Sequence, residues 1–71
     1  MTSLAEALPA KIKEMNEEII PAYVSIIPLA PMTRITVNIM RAEVQRAVEA
    51  LASGDVVAML EAYAEIKDYK S

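Results

Sequence analysis

Residues 19–31 read IIPAYVSIIPLAP, thirteen positions without a charge that contain five Ile or Val side chains, one Tyr and three prolines. The stretch could be a membrane segment, an extended proline-rich strand, or helix that must be buried against something. Which of these it is decides the fold. Upstream, Leu8, Ile12, Met15, Ile19, Ala22 and Ile26 recur at steps of four, three, four, three and four, which is one face of a helix. Lys13, Glu14, Glu17 and Glu18 take the other side. The stripe runs through Pro21 in phase, although a proline there deprives the Glu17 carbonyl of its partner and costs roughly 3 kcal/mol in a helix interior. At about 100° per residue Pro21 faces outward, where water can satisfy that carbonyl and the helix can bend. One helix over about residues 4–26, bent near Pro21, is therefore predicted, with a break at residue 20 as the alternative. Its start is marked by Ser3-Leu4-Ala5-Glu6, a capping-box pattern, or falls nearer Leu8 with Pro9 in the first turn.

Pro28 and Pro31 deny any continuing helix, so residues 28–31 are predicted as a turn. A second helix over about 33–52 follows, with Thr33 as its cap and Val37, Met40, Val44, Ala47, Val48 and Leu51 as its core stripe. Ile35, Val37 and Ile39 also alternate like a strand, but a lone strand would have no partner elsewhere in the chain. Gly54 suits the left-handed residue that ends a helix, and Asp55 can cap the next. A third helix over about 56–69 is expected to bury Val56, Met59, Leu60, Tyr63 and Ile66. Residues 1–71 thus read as a single small all-α domain: a long bent helix, a second helix and a shorter third one in an antiparallel hairpin arrangement.

Composition says how such a domain can be stabilised. The 71 residues are 55% apolar but include no Trp, no Phe and a single Gly, which argues for helices and against a turn-rich β fold. A chain this short buries only about 60% of its unfolded surface and usually needs a disulfide, a metal or a partner. Cysteine and histidine are absent, which removes disulfides and the common zinc sites. Self-association is left, and a homo-oligomeric bundle, a dimer first, is expected to complete the fold.

The opening stretch supplies the surface. Ile20, Val24 and Ile27 point away from the first helix's stripe; Met32, Ile35 and Ile39 do the same on the second, and Leu29 lies between them. A hairpin tip apolar nearly all round must be covered, and the third helix is too short to reach it. Ile20, Val24, Ile27, Leu29, Met32, Ile35 and Ile39 are the candidate oligomer or partner interface. Arg34, Asn38, Arg41 and Gln45, at i, i+4, i+7 and i+11, form a candidate polar rim. A larger protein is the other occupant this surface could take. The alternative is a membrane-peripheral protein dipping the same tip into a bilayer surface. Against it, the uncharged run from Ile19 to Thr33 is shorter than the roughly 20 residues of a span and lacks flanking basic clusters and Trp.

Other chemistries find little footing. Without His or Cys the commonest general base and thiol nucleophile are missing, and no glycine-rich phosphate loop exists, so no catalytic residue, metal or cofactor is assigned. Glu61, Glu65 and Asp68 form an acidic stripe that reads as a solvated helix face, as do Glu14, Glu17 and Glu18. A net charge of −3 weighs against nucleic acid. The N-terminal MTSLAEALPAKIKEM lacks the uninterrupted apolar run of a signal peptide, so a non-enzymatic interaction module in the cytoplasm is the expectation.

Overall fold

The computed structural model describes residues 3–70, and helix begins at once with α1 over Leu4–Glu14. Ser3 occupies the cap position with an extended backbone, but its side chain makes no cap hydrogen bond. Its carbonyl instead accepts the N–H groups of Glu6 and Ala7 at 3.1 and 2.8 Å. The expected capping box is not formed. Pro9 sits inside α1 on the exposed side.

The helix does not break at Pro21. It widens just before it. Met15–Ile19 forms a π turn, in which the Ile20 N–H donates to the Met15 carbonyl five residues back, and α2 continues without interruption over Ile20–Ser25. Pro21 cannot donate to Glu17, and its ring would crowd that carbonyl in a regular helix; a wider preceding turn relieves both. The extra residue in that turn slips the apolar phase by one position. Leu8, Met15 and Ile19 are buried as the stripe predicts, but Ile20 is then buried too, and Tyr23 and Ile27 pack against the core. Ala22 and Ile26, expected in the core, are exposed.

The chain leaves α2 through tight turns, with the Leu29 and Ala30 N–H groups both donating to the Ile26 carbonyl. It re-enters helix as α3 over Thr33–Ser53, so residues 33–40 are helical throughout. Met32, not Thr33, holds the cap position, without a side-chain cap. Gly54 ends α3 in the left-handed conformation at φ 72°, as a residue without Cβ can do at no steric cost. Asp55 Oδ1 accepts the N–H groups of Val57 and Ala58 at 3.0 and 3.3 Å and starts α4, which covers Val56–Ile66. That helix stops three residues earlier than expected, in a turn at Lys67–Asp68.

The result is all-α: three helical rods, the first being α1, the π turn and α2 end to end, with no strand among the described residues. Leu8, Met15, Ile19, Met40 and Ile66 are wholly buried and join the rods. Where α4 meets α3 the contact is built from Ala47, Ala50 and Ala62 with Met59. Small side chains allow a close approach of helix axes. This close alanine contact turns Val56 and Leu60, expected inside, outward to 61% and 55% exposure. α4 packs on α3 and α1, whereas α2 packs on the π turn and α3. The molecule is long, 39 × 21 × 16 Å, and its radius of gyration of 12.6 Å exceeds the roughly 11 Å of a compact domain of this length.

The phase slip makes Ile20 a core residue. Ile20→Ala is expected to cost about 2–4 kcal/mol in urea unfolding, the range for a truncated buried Ile. A loss below about 0.5 kcal/mol, normal for a surface site, would put Ile20 back on the outer face.

Candidate interaction surface

The surface is easiest to build from α3, the helix that spans most of the molecule's length. Met32, Ile35, Ile39, Glu43, Arg46, Ala50 and Ser53 recur at steps of three or four and therefore share one strip of α3 and the residue before it. The lower part of this strip is occupied. Ala50, Arg46 and Ser53 line, with Ala58, Ala62 and Glu65 of α4, a groove of about 430 Å³. Glu43 accepts a hydrogen bond from the Tyr69 hydroxyl just beyond α4. Above Glu43 the strip continues as Ile39, Ile35 and Met32, and α4 is no longer there. With 21 residues α3 is about 31 Å long, and with 11 residues α4 is about 16 Å long, so nearly half the strip lies beyond its reach.

The first rod shows the same division. Ala7, Lys11, Glu14 and Glu18 line a groove against Tyr63 and Lys67. Each stands one residue before a member of the core stripe, and the next two positions in that series, across the π turn, are Ala22 and Ile26. Ile26 is 43% exposed, Ile39 52%, Ile35 56%, Met32 75% and Leu29 89%. Together they form an apolar ledge: the continuation, past the end of α4, of the track in which α4 lies.

The floor of the ledge is pinned. The Lys11 ammonium donates to the Tyr69 carbonyl at 2.6 Å and to Glu14 Oε1 at 2.7 Å, while the Tyr69 hydroxyl donates to Glu43 Oε1 at 2.7 Å. These bonds hold the segment after α4 against both α1 and α3. The hydrogen bond to Glu43, followed by burial and the charge of Glu43, pushes the Tyr69 hydroxyl up to about 12. Lower down, Arg46 donates two hydrogen bonds to the Glu65 carboxylate, at 3.1 and 3.2 Å, rather than pairing with its α3 neighbours Glu43 and Glu49. The Glu65 carboxylate raises the Arg46 guanidinium, first through these bonds and then through its charge.

The seven interface candidates are thereby sorted. Leu29, Met32, Ile35 and Ile39 lie on the ledge. Val24, 38% exposed, precedes Ser25 and Ile26 on the far side of α2, one position after the core residue Tyr23. Ile20 is buried within the subunit and Ile27 is packed against its core, so these two are corrections: the π turn rotates them inward. Ile26 replaces them, and the uninterrupted period that placed it in the core is what hid it. Arg34, Asn38, Arg41 and Gln45 are all exposed on the flank of α3 away from α4, with no ion pair to either arginine among the described residues. Of the acidic stripe, Glu65 is engaged by Arg46 while Glu61 and Asp68 are exposed, and no group of three acidic side chains converges among the described residues. Also among these residues, no helix is long and apolar enough to cross a membrane. No protein-family model, curated protein or solved structure matches the chain.

Tyr69 offers a direct check of the pinned floor. Its folded pKa of about 12 lies above the roughly 10 of an unfolded tyrosine, so the neutral hydroxyl is favoured by folding. Its contribution is fully present below pH 10 and lost as the pH climbs towards 12. Tyr69→Phe is expected to cost about 1 kcal/mol at neutral pH, after discounting for its partial exposure, or about 4–8 °C in melting temperature. It should also remove part of the decline between pH 10 and 12. Equal alkaline profiles for the two proteins would mean that Glu43 does not hold this hydroxyl.

Proposed function

We propose that this chain is a small non-enzymatic interaction module that self-associates, as a dimer, through the apolar ledge at its hairpin tip. The observation that carries this reading is the strip Ile39–Ile35–Met32 left bare where α4 ends, with Leu29 89% exposed beside it. Side chains of this type covering a packed element should be buried; here they face solvent in a connected group. The five ledge residues expose on the order of 600 Å² per subunit, so that a pair would bury about 1,200 Å², the lower bound of specific interfaces. An apolar patch of that size also stands at the upper end of what monomers show. The chain as a whole exposes 4741 Å², somewhat more than the roughly 4,400 Å² of a folded monomer of 7.8 kDa.

A second copy is the occupant that accounts for the remaining features. It is chemically matched by construction, because an isologous contact sets the same Ile and Met side chains against each other. The uncovered Arg34, Asn38, Arg41 and Gln45 lie on the flank of α3 away from α4 and stand outside this contact. The absence of His and Cys leaves little for catalysis and fits a binding role. In the assembled state the module would act as an adaptor, regulator or inhibitor of a larger protein.

Sedimentation at micromolar concentration tests the reading: a species of twice 7.8 kDa is expected. Ile35→Asp with Ile39→Asp should keep the helical circular dichroism, since both side chains are exposed in the subunit. The dissociation constant should rise at least about hundredfold, because two carboxylates would have to be desolvated. A wild-type monomer would refute the proposal, and so would an unchanged dimer in the double variant. Flotation of the wild-type chain with anionic vesicles, abolished by the same substitutions and seen without a dimer, would give the tip to a membrane surface instead.

A further inference from the structure

Resting on the self-association just proposed, we infer that two copies join as a half-lap joint. The subunits run antiparallel, each tip seated on the other's ledge, with the two α3 helices crossing at Ile35 and Ile39 about a two-fold axis. The shape of the ledge requires this direction. α4 stands proud of the ledge by about one helix diameter, roughly 10 Å, and the segment that follows it is tied to α3 at the Tyr69–Glu43 contact. Two subunits packed in parallel on this face would carry both α4 helices between them at the same level. The ledges would then be held about two helix diameters apart, too far for Ile35 and Ile39 to touch, since packed helix axes lie 8–10 Å apart. Turning one subunit end for end removes the obstruction. Each α4 then lies beyond the partner's tip, in line with the space that tip fills.

The register is set by where the two-fold crosses α3. With the axis midway between Ile35 and Ile39, Ile35 of one copy faces the partner's Ile39, and Met32 faces the partner's Ala42. Positions 32 and 42 of one chain are ten residues apart on α3, about 15 Å. A disulfide needs Cα atoms within about 7 Å, so it cannot form between them inside one subunit. The natural chain has no cysteine, so introduced thiols report without background.

The experiment uses the full chain in three forms: Met32→Cys, Ala42→Cys and the two substitutions combined. Each is oxidised mildly at a concentration where sedimentation gives a dimer, and the products are read on non-reducing gels and by intact mass. The double variant is expected to become covalent dimer at least about tenfold faster than either single variant. Fast cross-linking of a single variant to itself would overturn the joint in favour of a parallel pair. A dimer in solution with no fast cross-link in any variant would overturn it in favour of another face. If sedimentation finds only monomer in the wild-type chain, the self-association itself fails, which is a separate result from either of these.

Discussion

A nitrogen that carries no hydrogen sets the geometry of this molecule. Pro21 cannot continue the hydrogen-bond ladder of the first rod, and the helix answers by opening Met15–Ile19 into a π turn instead of breaking. Breaking would have released α2 from the hairpin and left Ile19 and Ile20 without their common core. Widening keeps the rod whole and inserts one residue into its phase. That single position brings Ile20, Tyr23 and Ile27 towards α3 and sends Ile26 out to the side on which α4 lies. The apolar character of the ledge on the first rod is thus a consequence of a proline five residues away.

The second determinant is how tightly, and over what length, α4 is held. Its contact with α3 is made by alanines and by Met59, which bring the helices close but offer little surface per residue. Asp55 fixes where α4 starts, and the bonds of Tyr69 to Glu43 and Lys11 fix where the segment after it is tied. Between these points only 11 residues are helical, against 21 in α3. The base of the molecule is therefore a three-rod bundle and the tip a two-rod hairpin. A two-rod hairpin has one interior seam, so side chains on its outer strips cannot be buried by their own subunit.

Much of this was legible in the residues. The all-α class, the turn around Pro28 and Pro31, the α3 core positions Val37, Met40, Val44 and Ala47, and the Gly54-Asp55 junction all follow from period, breakers and caps. So does the shortfall of the last helix, which rests on counting residues. The phase of α2 was not legible, because a stripe with steps of three and four continues through Pro21 as well as a slipped one does. The doublet Ile19-Ile20 and the starved Glu17 carbonyl were the only hints. The face of α4 was misread for a different reason. Met59 and Ile66 are buried as expected, but Ala62 takes the interior in place of the more hydrophobic Val56 and Leu60, because α3 offers alanines there and small side chains pack closely against small. Long-range polar pairs such as Arg46 with Glu65 and Tyr69 with Glu43 join residues 19 and 26 positions apart, which local spacing does not reveal.

The same facts tie the stability of the chain to its surface. A 71-residue domain without cysteine or histidine has neither cross-link nor zinc site to compensate for a small core. Its wholly buried side chains, among them Leu8, Met15, Ile19 and Met40, hold the rods together, while Leu29 and Met32 near the end of the tip contribute almost nothing to that core. Had the ledge no partner, replacing its Ile and Met by polar residues would make the chain more soluble at no loss of packing. Their exposure is what a tip whose hydrophobic burial occurs on association would show. Under that reading, folding and assembly are thermodynamically linked, because any contact made only by the folded state adds to its stability by mass action. On the proposed self-association the ledge would belong to the fold as much as to the interface, as the part of the core that a second chain completes.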